Sequence, residues 1–527
     1  MPDSPDAIVI GAGPNGLVAA NILADAGWSV LVLEAQSDVG GAVRSDRELD
    51  PAFVHDTFSA FYPLAAASPA IRRLGLEEHG LRWRRAPAVL GNPMPDGSWA
   101  LLHDDVNDTA AGLESQASGD GDRWRALYDD WQRIGPGLID SLLSPFPPVK
   151  GGAKMLAQLP RVGGLSYVRM MLEPARQLAE SRFRGQAARL LLAGNAGHSD
   201  IPLDAPGSGL MALLLSMLGQ TVGFPVPEGG AGELTQALAR RLRAKGGEIR
   251  CDSHVDRVDV VGRRARSVSL HTGETLAVGR AVLADVVAPR LYGGLVAWSD
   301  LPERTRDNMA RFQLDPSTVK VDWALDRPVP WTSPPEAMPG TVHIADSTDQ
   351  LVSSLQQLDV HTVPAEPFLL VGQMTTTDPT RSPAGTESFW AYTHVPQEVH
   401  ADAGEEGITG EWGHDDAERM ADRMQRRIER YAPGFGSTIT ARRVLTPPDL
   451  QRRNENLVGG AINGGTAEIH QQLVFRPIPG LGRAGTPIRG LFLASASAHP
   501  GGGVHGAAGS NAARAAIAAH RLGRLRR

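Results

Sequence analysis

The stretch AIVIGAGPNGLVAANILADAGWSVLVLE, residues 7–34, decides the fold of this 527-residue chain. Its apolar start, residues 7–10, predicts a buried parallel strand. Gly11, Gly13 and Gly16 then follow with the G-x-G-x-x-G spacing that lets a backbone turn tightly and approach a pyrophosphate closely. The spacing and the preceding strand together predict the first turn of a βαβ unit.

The rest of the same stretch supplies the helix, the second strand and an acid. Pro14 and Asn15 begin the helix, where a missing N–H costs nothing and the free N–H groups favour phosphate oxygens. Gly27 ends the helix. The apolar residues 30–33 predict a second strand that leads to Glu34, whose carboxylate accepts a hydrogen bond from a ribose hydroxyl and disfavours a 2′-phosphate. These features predict a dinucleotide-binding unit.

Composition excludes several classes of function. The chain is 42% apolar and carries a net charge of −7, which gives no overall attraction to nucleic acid. Its single cysteine, Cys251, excludes an internal disulfide, a Cys-x-x-Cys redox pair and a cysteine-based zinc site. The histidines are scattered along the sequence, so we expect no metal site.

The chain starts directly with its first strand, and no apolar run is long enough to span a bilayer, so we predict a cytoplasmic protein. The longest apolar run, residues 209–218, predicts a core helix or part of an apolar entrance. The basic tail, residues 520–527, leaves peripheral contact with an anionic membrane open.

A second glycine-rich turn lies near the C-terminus. Residues 491–494 predict a buried strand, which leads into Gly501, Gly502 and Gly503 and then into a helix of small residues. Such a turn presents backbone N–H groups and the positive end of a helix dipole to a bound group. We therefore expect both ends of the chain to meet at one ligand.

Four motifs carry a family resemblance: GAGPNGLVAA (11–20), GGAVR (40–44), PEGGAGELTQAL (227–238) and AHPGGGVHGAAG (498–509). Together they resemble the phytoene desaturase-like FAD-dependent oxidoreductases, with the closest likeness to the branch of pyridine nucleotide-disulfide oxidoreductase domain-containing protein 2. The likeness extends over nearly the whole chain. The disulfide in that branch's name cannot apply to a chain with one cysteine.

The resemblance implies an α/β fold of two domains. The first is a Rossmann-like FAD-binding domain, with a parallel sheet plus a small antiparallel layer, in residues 1–90, 225–300 and 455–527. The second is a discontinuous substrate-binding domain of antiparallel sheet and helices, in residues 91–224 and 301–454. Strand-like runs at 318–323, 368–374 and 388–394 support that sheet.

The resemblance also implies non-covalent FAD. Beside the N-terminal motif, G-G-x-x-R at Gly40, Gly41 and Arg44 resembles the extended signature of FAD-binding proteins. The positions implied to bind the cofactor are Gly11, Gly13, Pro14, Asn15, Gly16, Glu34, Gly40, Gly41, Arg44, Val255, Ala496, Gly503, Val504 and His505. Of these, Arg44 is expected beside the pyrophosphate, Val255 beside the adenine, Ala496 beside the ribityl chain, and Val504 with His505 beside the isoalloxazine.

Hydride transfer to flavin N5 calls for a base that takes the accompanying proton. His505 is the first candidate, with hydrogen bonding to the flavin or capping of the helix as the alternative. His55 and Asp56 are further candidates, which could instead close a turn. Carotenoid desaturases typically have a proline where this chain has His505, which argues against a polyene substrate.

The sequence therefore predicts an FAD-dependent oxidoreductase that dehydrogenates a hydrophobic small molecule. No second G-x-G-x-x-G follows a strand, so we expect oxygen or a quinone as electron acceptor. Three alternatives stay open: a redox-neutral flavin-dependent isomerase, an amine oxidase on the same fold, and a scaffold in which FAD is structural.

Overall fold

A computed structural model describes residues 4–525. The two strands of the N-terminal motif lie in a five-stranded, fully parallel sheet. The strands, in spatial order, are Leu491–Leu493, Ala281–Ala284, Ala7–Ile10, Val30–Leu33 and Glu248–Arg250. All side chains of the first four strands are buried, as expected for a parallel sheet that is covered on both faces, whereas Glu248–Arg250 at the edge is exposed or half-buried.

The helix Pro14–Asp25 follows the glycine turn and packs beside Ala507–Leu525 and Gly232–Ala244. The approach to the C-terminal helix is close, because a Cβ on Gly509 would lie 1.9 Å from the carbonyl oxygen of Asn15. The small residues of the C-terminal helix thus let the two glycine-rich turns lie side by side.

A small antiparallel layer covers one face of the parallel sheet. Its strands are Val255–Val261, Arg264–Leu270 and Thr275–Ala277. The predicted Rossmann-like fold, with a parallel sheet and a small antiparallel layer, is confirmed.

A separate seven-stranded sheet forms the second part of the molecule. In spatial order its strands are Ile439–Leu445, Ser317–Leu325, Glu387–Val395, Leu369–Gln373, Pro339–Ile344, Ala88–Pro93 and Trp99–Leu102. The sheet was predicted as antiparallel, but the pair Pro339–Ile344 with Ala88–Pro93 is parallel. The strand Ala88–Pro93 also straddles residue 90, where the sequence suggested a domain boundary.

Helices form a block against one face of this sheet, and their apolar faces form one core with it. The block comprises Val106–Gln116, Asp120–Leu143, Val149–Gln158, Leu165–Leu172, Ala175–Arg182, Gln186–Ala196 and Ser208–Val222. The last of these contains the longest apolar run of the sequence. Most of its side chains are buried in the core, and Leu210, Met211 and Leu215 of the same helix line a cavity.

The remaining elements are short or peripheral. The other α-helices are Pro63–Ala67, Pro69–Arg72, Ala288–Arg290, Glu303–Met309, Thr348–Asp359, Met374–Thr377, His414–Glu429 and Pro447–Arg453. Three two-stranded ladders pair Ser45–Asp46 with His55–Asp56, Trp83–Arg84 with Val226–Pro227, and Thr362–Val363 with Ala401–Asp402.

Within residues 4–525, none of the helices combines the length and the apolar character that crossing a bilayer requires. The last two residues of the basic tail lie outside the described residues.

Candidate functional site

A cavity of about 680 Å³ lies between the two sheets and the helical block. Gly11 and Gly13 of the N-terminal turn line it, and so do Gly502 and Gly503 of the C-terminal turn. The predicted convergence of the two ends of the chain on one space is therefore present in the structure. The volume lies within the usual range of about 300–1,000 Å³ for ligand sites.

Asp285, which directly follows the strand Ala281–Ala284, forms a hydrogen bond with the N-terminal turn. Asp285 Oδ2 accepts the N–H of Gly16 at 2.8 Å. A Cβ on Gly13 would lie 2.7 Å from the same oxygen, and a Cβ on Gly16 would lie 2.2 Å from the carbonyl oxygen of Gly11. The turn therefore requires glycine at these two positions for steric reasons.

Burial raises the pKa of the Asp285 carboxyl to about 7, with the nearby Glu34 charge acting in the same direction and the Gly16 N–H opposing it. The side chain also lines the cavity. Sequence analysis missed this residue, although an acid immediately after a buried parallel strand was a usable signal.

Glu34 directly follows the strand Val30–Leu33. Its Oε2 accepts the N–H of Ala12 at 2.7 Å and its Oε1 accepts the N–H of Gln36 at 2.9 Å. Each carboxylate oxygen has lone pairs left over after one such bond. Because Glu34 also lines the cavity, it is oriented to accept further hydrogen bonds from a ligand hydroxyl.

The GGAVR segment lies against the N-terminal turn. A Cβ on Gly41 would lie 3.0 Å from the Cα of Gly13, and a Cβ on Gly40 would lie 2.4 Å from the Cγ of Arg44. These glycines thus allow close contact between the two loops, and the Arg44 side chain packs against Gly40. Arg44 lines the cavity and brings a positive charge to the glycine turn.

Arg476 organises the C-terminal loop, and sequence analysis did not predict this. Its guanidinium donates to the carbonyl oxygens of Ala496, Asn463 and Thr466 at 2.8–3.0 Å. The side chain is fully buried, and burial lowers its pKa to about 10. Arg476 therefore brings a buried positive charge to the cavity wall while fixing the loop backbone around it.

Asn15 provides an independent indication that a polar ligand belongs here. Its Oδ1 is buried without a hydrogen-bond partner among the described atoms, and the residue lines the cavity. A buried polar group left unpaired is costly, and a ligand polar atom would relieve that cost. Together with Glu34, Arg44 and the two glycine turns, this orphaned group fits a dinucleotide.

Most of the positions predicted to bind cofactor line the cavity. These are Gly11, Gly13, Pro14, Asn15, Glu34, Gly41, Arg44, Val255, Ala496, Gly503 and Val504. Gly16, Gly40 and His505 are not among the lining residues and lie directly behind them.

The His505 side chain caps the helix Ala507–Leu525, because its Nδ1 accepts the N–H of Ala507 at 3.0 Å. Burial lowers the pKa of His505 to about 4, so the imidazole is neutral at pH 7. The geometry therefore agrees with the capping alternative. A direct role as the base finds no support in its position.

Asp56 and His55 do not line the cavity, which argues against their role as candidates for the base. Asp56 accepts hydrogen bonds from the Arg381 guanidinium at 2.9 Å, from the Ser45 hydroxyl at 2.7 Å and from the Ala231 N–H at 2.8 Å. It therefore forms a buried structural ion pair with Arg381. His55 is fully buried, and burial lowers its pKa.

The far end of the cavity is an apolar chamber. Its wall comes from the helical block and from the segment after Arg44, through Leu138, Leu142, Phe61, Leu64, Met171, Ile201, Leu210, Met211, Leu215 and Phe224. The acidic residues that line the cavity, namely Glu34, Asp285 and Glu455, all lie at the end of the cavity that holds the N-terminal glycine turn. Within residues 4–525, no carboxylate lines the chamber itself.

Several polar side chains interrupt the apolar wall of the cavity. His198 Nε2 lies 2.6 Å from His343 Nε2, and burial lowers the pKa of His198 to about 3, so this pair is neutral. Lys320 lines the cavity, pairs with Asp322 and lies 5.7 Å from the Trp390 ring centroid. Thr318, Thr341 and Tyr392 also line the cavity, so hydroxyl groups as well as the imidazole and ammonium groups border the space available to a substrate.

One cluster of metal-ligating types lies outside the cavity. His361, Glu398 and His400 lie together on the surface, where the ladder of Thr362–Val363 with Ala401–Asp402 brings them together. The sequence suggested that the histidines were scattered, because the two strands are far apart along the chain. None of these three residues lines the cavity.

Comparison with known proteins agrees with this site. Residues 9–74 match the model of the NAD(P)-binding Rossmann-like domain. The chain is 29% identical to mouse pyridine nucleotide-disulfide oxidoreductase domain-containing protein 2, over 96% of this chain and 92% of that protein. It is 25% identical to the neurosporene-forming phytoene desaturase of Rhodobacter capsulatus, also over 96% and 92%.

Solved structures share the fold. Putrescine oxidase bound to putrescine superposes with a TM-score of 0.60 at 19% identity, covering 98% of both chains. An oxidoreductase from Methanosarcina mazei superposes with a TM-score of 0.60 at 14% identity, covering 97% of this chain and 99% of the other. The predicted two-part architecture is thereby confirmed.

Proposed function

We propose that this chain, which is homologous to the phytoene desaturases and to pyridine nucleotide-disulfide oxidoreductase domain-containing protein 2, is an FAD-dependent dehydrogenase. Its substrate is a hydrophobic small molecule that occupies the apolar chamber. One observation carries the proposal: a single cavity joins the glycine turns at residues 11–16 and 501–503 to a chamber walled by apolar side chains.

The nucleotide end suits the adenosine part of FAD. Glu34 would accept hydrogen bonds from the ribose hydroxyls, the free N–H groups of the Pro14–Asp25 helix and Arg44 would bind the pyrophosphate, and Val255 would contact the adenine. The orphaned Asn15 amide completes its hydrogen bonds there. Bound FAD supplies a hydride acceptor at N5.

The C-terminal loop suits the redox-active end of the cofactor. Its backbone N–H groups and the buried Arg476 charge favour negative charge near Gly503 and Val504. His505 shapes this loop by capping the helix behind it. These residues therefore orient the group and stabilise the charge that accumulates on reduction.

The chamber selects the substrate mainly through its apolar wall. Apolar burial is worth about 25 cal/mol per Å² of surface, so the wall favours hydrocarbon over polar groups. A protonated amine would find no carboxylate partner among the described chamber residues. This disfavours the amine oxidase alternative and favours dehydrogenation of a C–H bond in an apolar molecule.

Substrate-dependent bleaching of the bound flavin is the test. Purified protein should be yellow and release free FAD on denaturation. Anaerobic addition of an apolar substrate should reduce the flavin stoichiometrically, and oxygen or a quinone should restore the colour. An isomerase would convert substrate without net bleaching. A structural flavin would show neither effect, and colourless protein that cannot be reconstituted with FAD would refute the proposal.

A matched pair of chamber variants separates substrate binding from cofactor binding. Leu210→Trp narrows the chamber and should raise the KM for a bulky apolar substrate while leaving the flavin spectrum unchanged. Val261→Trp, at an exposed hairpin of the small antiparallel layer, should leave both unchanged.

A further inference from the structure

Three exposed side chains, those of His361, Glu398 and His400, form a group that we call the His–Glu–His cluster. Each offers one ligand atom, and the three atoms all lie within 4.8 Å of one another. Two imidazole nitrogens and one carboxylate oxygen make a donor set that suits divalent transition metals. Because none of the three residues lines the cavity, the cluster is separate from the proposed cofactor site.

The parallel ladder of Thr362–Val363 with Ala401–Asp402 sets the two histidines side by side. His361 and His400 directly precede its two strands, and the His400 N–H donates to the His361 carbonyl oxygen at 2.8 Å. Their imidazole rings stack with centroids 4.4 Å apart and an interplanar angle of 25°. The fold therefore brings the two rings together by itself, so that binding an ion requires little further ordering of the backbone.

The end of a helix fixes the position of His361. This residue follows the helix Thr348–Asp359 in a left-handed conformation, with a φ of 57°. Glycine most often takes such a position after a helix, and histidine is one of the few other residue types that tolerate it. The His361 N–H donates to the Leu358 carbonyl oxygen at 3.0 Å, which closes the turn. The imidazole is therefore attached to a well-defined point of the backbone.

A buried arginine anchors the same ladder from the inside of the protein. Arg423 donates to the Pro364 carbonyl oxygen at 2.9 Å and to the two carboxylate oxygens of Asp402 at 2.7 Å each. Its side chain is only 3% exposed, so these charge-assisted bonds are shielded from water. One guanidinium thus ties together the two segments that carry His361 and His400.

The hydrogen bond of His361 leaves one ring nitrogen ready to bind a metal. Its Nδ1 lies 3.1 Å from the backbone carbonyl oxygen of Glu398, which can only accept, so Nδ1 carries the hydrogen. Nε2 then keeps its lone pair. A second ring nitrogen that donates to a carbonyl is the usual way in which proteins orient a metal-binding histidine.

The carboxylate of Glu398 lies close to the distance that an ion requires. Its Oε2 is 3.9 Å from the Nε2 of His400. Two ligand atoms at about 2.0–2.1 Å from a tetrahedral ion lie about 3.4 Å apart. Both side chains are exposed, so a small rotation of Glu398 closes the difference without disturbing the ladder.

We propose that the His–Glu–His cluster binds one Zn²⁺ ion, with water as its fourth ligand. Mg²⁺ and Ca²⁺ prefer all-oxygen sites, whereas two imidazoles favour zinc and copper. The ion joins the end of the helix Thr348–Asp359 to the segment after the strand Glu387–Val395, which carries Trp390 and Tyr392 of the cavity wall. It therefore stabilises the sheet that frames the cavity. The assignment does not depend on the proposed function.

Titration calorimetry of the flavin-containing protein, purified without a polyhistidine tag, tests the site. One equivalent of Zn²⁺ should bind tightly to the parent, and Mg²⁺ or Ca²⁺ should not compete. His361→Asn and His400→Gln should each weaken Zn²⁺ binding at least about tenfold. Asparagine is chosen at position 361 because it tolerates the left-handed backbone. His470→Gln is the matched control, since His470 is exposed and lies 3.4 Å from Glu468 but belongs to no such cluster within residues 4–525.

Electron paramagnetic resonance of bound Cu²⁺ identifies the ligands. The copper signal of the parent should show hyperfine splitting from two imidazole nitrogens, and that of His361→Asn from one. Glu398→Gln should keep both nitrogens and still bind more weakly. Copper without a nitrogen ligand, or Zn²⁺ binding that none of the three substitutions weakens, would overturn the proposal and leave an adventitious ion only.

Thermal unfolding provides a readout that does not depend on activity. Zn²⁺ should raise the unfolding temperature of the parent, because an ion that binds only the folded chain stabilises it. This rise should disappear in His400→Gln and persist in His470→Gln. An equal rise in the parent and in His400→Gln would place the stabilising ion elsewhere and would contradict the assignment.

Discussion

The carboxylate of Asp285 accepts the backbone N–H of Gly16 at 2.8 Å, across 269 residues of sequence. This bond joins the strand Ala281–Ala284 to the first turn of the helix Pro14–Asp25. It places an ionisable group within the turn that is expected to contact a pyrophosphate. The ionisation of Asp285 therefore affects both the fold and the binding of an anion.

Asp285 should make stability depend on pH. Its pKa rises from 3.8 to about 7 on folding, mainly through burial, so the folded chain holds a proton that the unfolded chain has released between those values. Stability should therefore fall as pH rises from 4 through 7, by on the order of 4 kcal/mol for the full shift. Asp285→Asn keeps an acceptor for Gly16 and should lose this dependence. Thermal unfolding of both proteins should be measured across this pH range. The same change of melting temperature with pH in both proteins would contradict the prediction.

Gly16→Ala should abolish flavin retention. The added Cβ would lie 2.2 Å from the carbonyl oxygen of Gly11, a backbone atom that cannot move away without opening the turn. Gly112→Ala is the matched control, because Gly112 lies within the helix Val106–Gln116 with nothing within 4 Å of the new Cβ. It should be neutral or stabilise by up to about 1 kcal/mol. The flavin-to-protein absorbance ratio after purification decides between the two outcomes.

Asp56→Asn should destabilise the fold by about 3–5 kcal/mol, because it leaves the buried Arg381 guanidinium with one of its two carboxylate partners. Asp122→Asn removes an exposed partner of Arg125 and should change stability by less than about 1 kcal/mol. Chemical denaturation measures both. A fully stable Asp56→Asn protein with lost turnover would instead assign Asp56 to catalysis.

His505→Asn should retain activity, and His505→Ala should lose about 1 kcal/mol of stability. Asparagine can still accept the Ala507 N–H, whereas alanine removes the cap. The pKa of His505 is lowered to about 4 by burial, so its titration should not shape the activity profile between pH 6 and 8. A pH profile of kcat whose acidic limb disappears in His505→Asn would restore His505 as the base.

Local patterns in the sequence were sufficient to predict the Rossmann-like turn and its two strands. The glycine spacing at 11–16 and the acid at 34 each follow from one βαβ unit, whose parts are neighbours along the chain. The strands near 318, 369 and 388 could be read from their apolar, β-prone composition. The domain boundaries drawn from the sequence stay a prediction.

Long-range pairings could not be predicted in the same way. Asp56 was taken for a catalytic candidate because its partner, Arg381, is 325 residues away and has no local signature. Arg476 lies in an irregular loop, where an arginine is ordinarily exposed, yet here its hydrogen bonds are all to backbone carbonyls. Both errors share one cause, since a charge that is neutralised by distant groups cannot be recognised from its neighbours.

The order of strands in the parallel sheet constrains how the protein is made. The strand Ala7–Ile10 leaves the ribosome first, but its neighbour Ala281–Ala284 and the edge strand Leu491–Leu493 are synthesised much later. Pairings between segments this far apart close slowly, and domains with such contacts fold late. The strand Ala7–Ile10 must therefore wait with one edge unpaired until Ala281–Ala284 has been synthesised, and an unpaired strand edge of this kind is prone to aggregation.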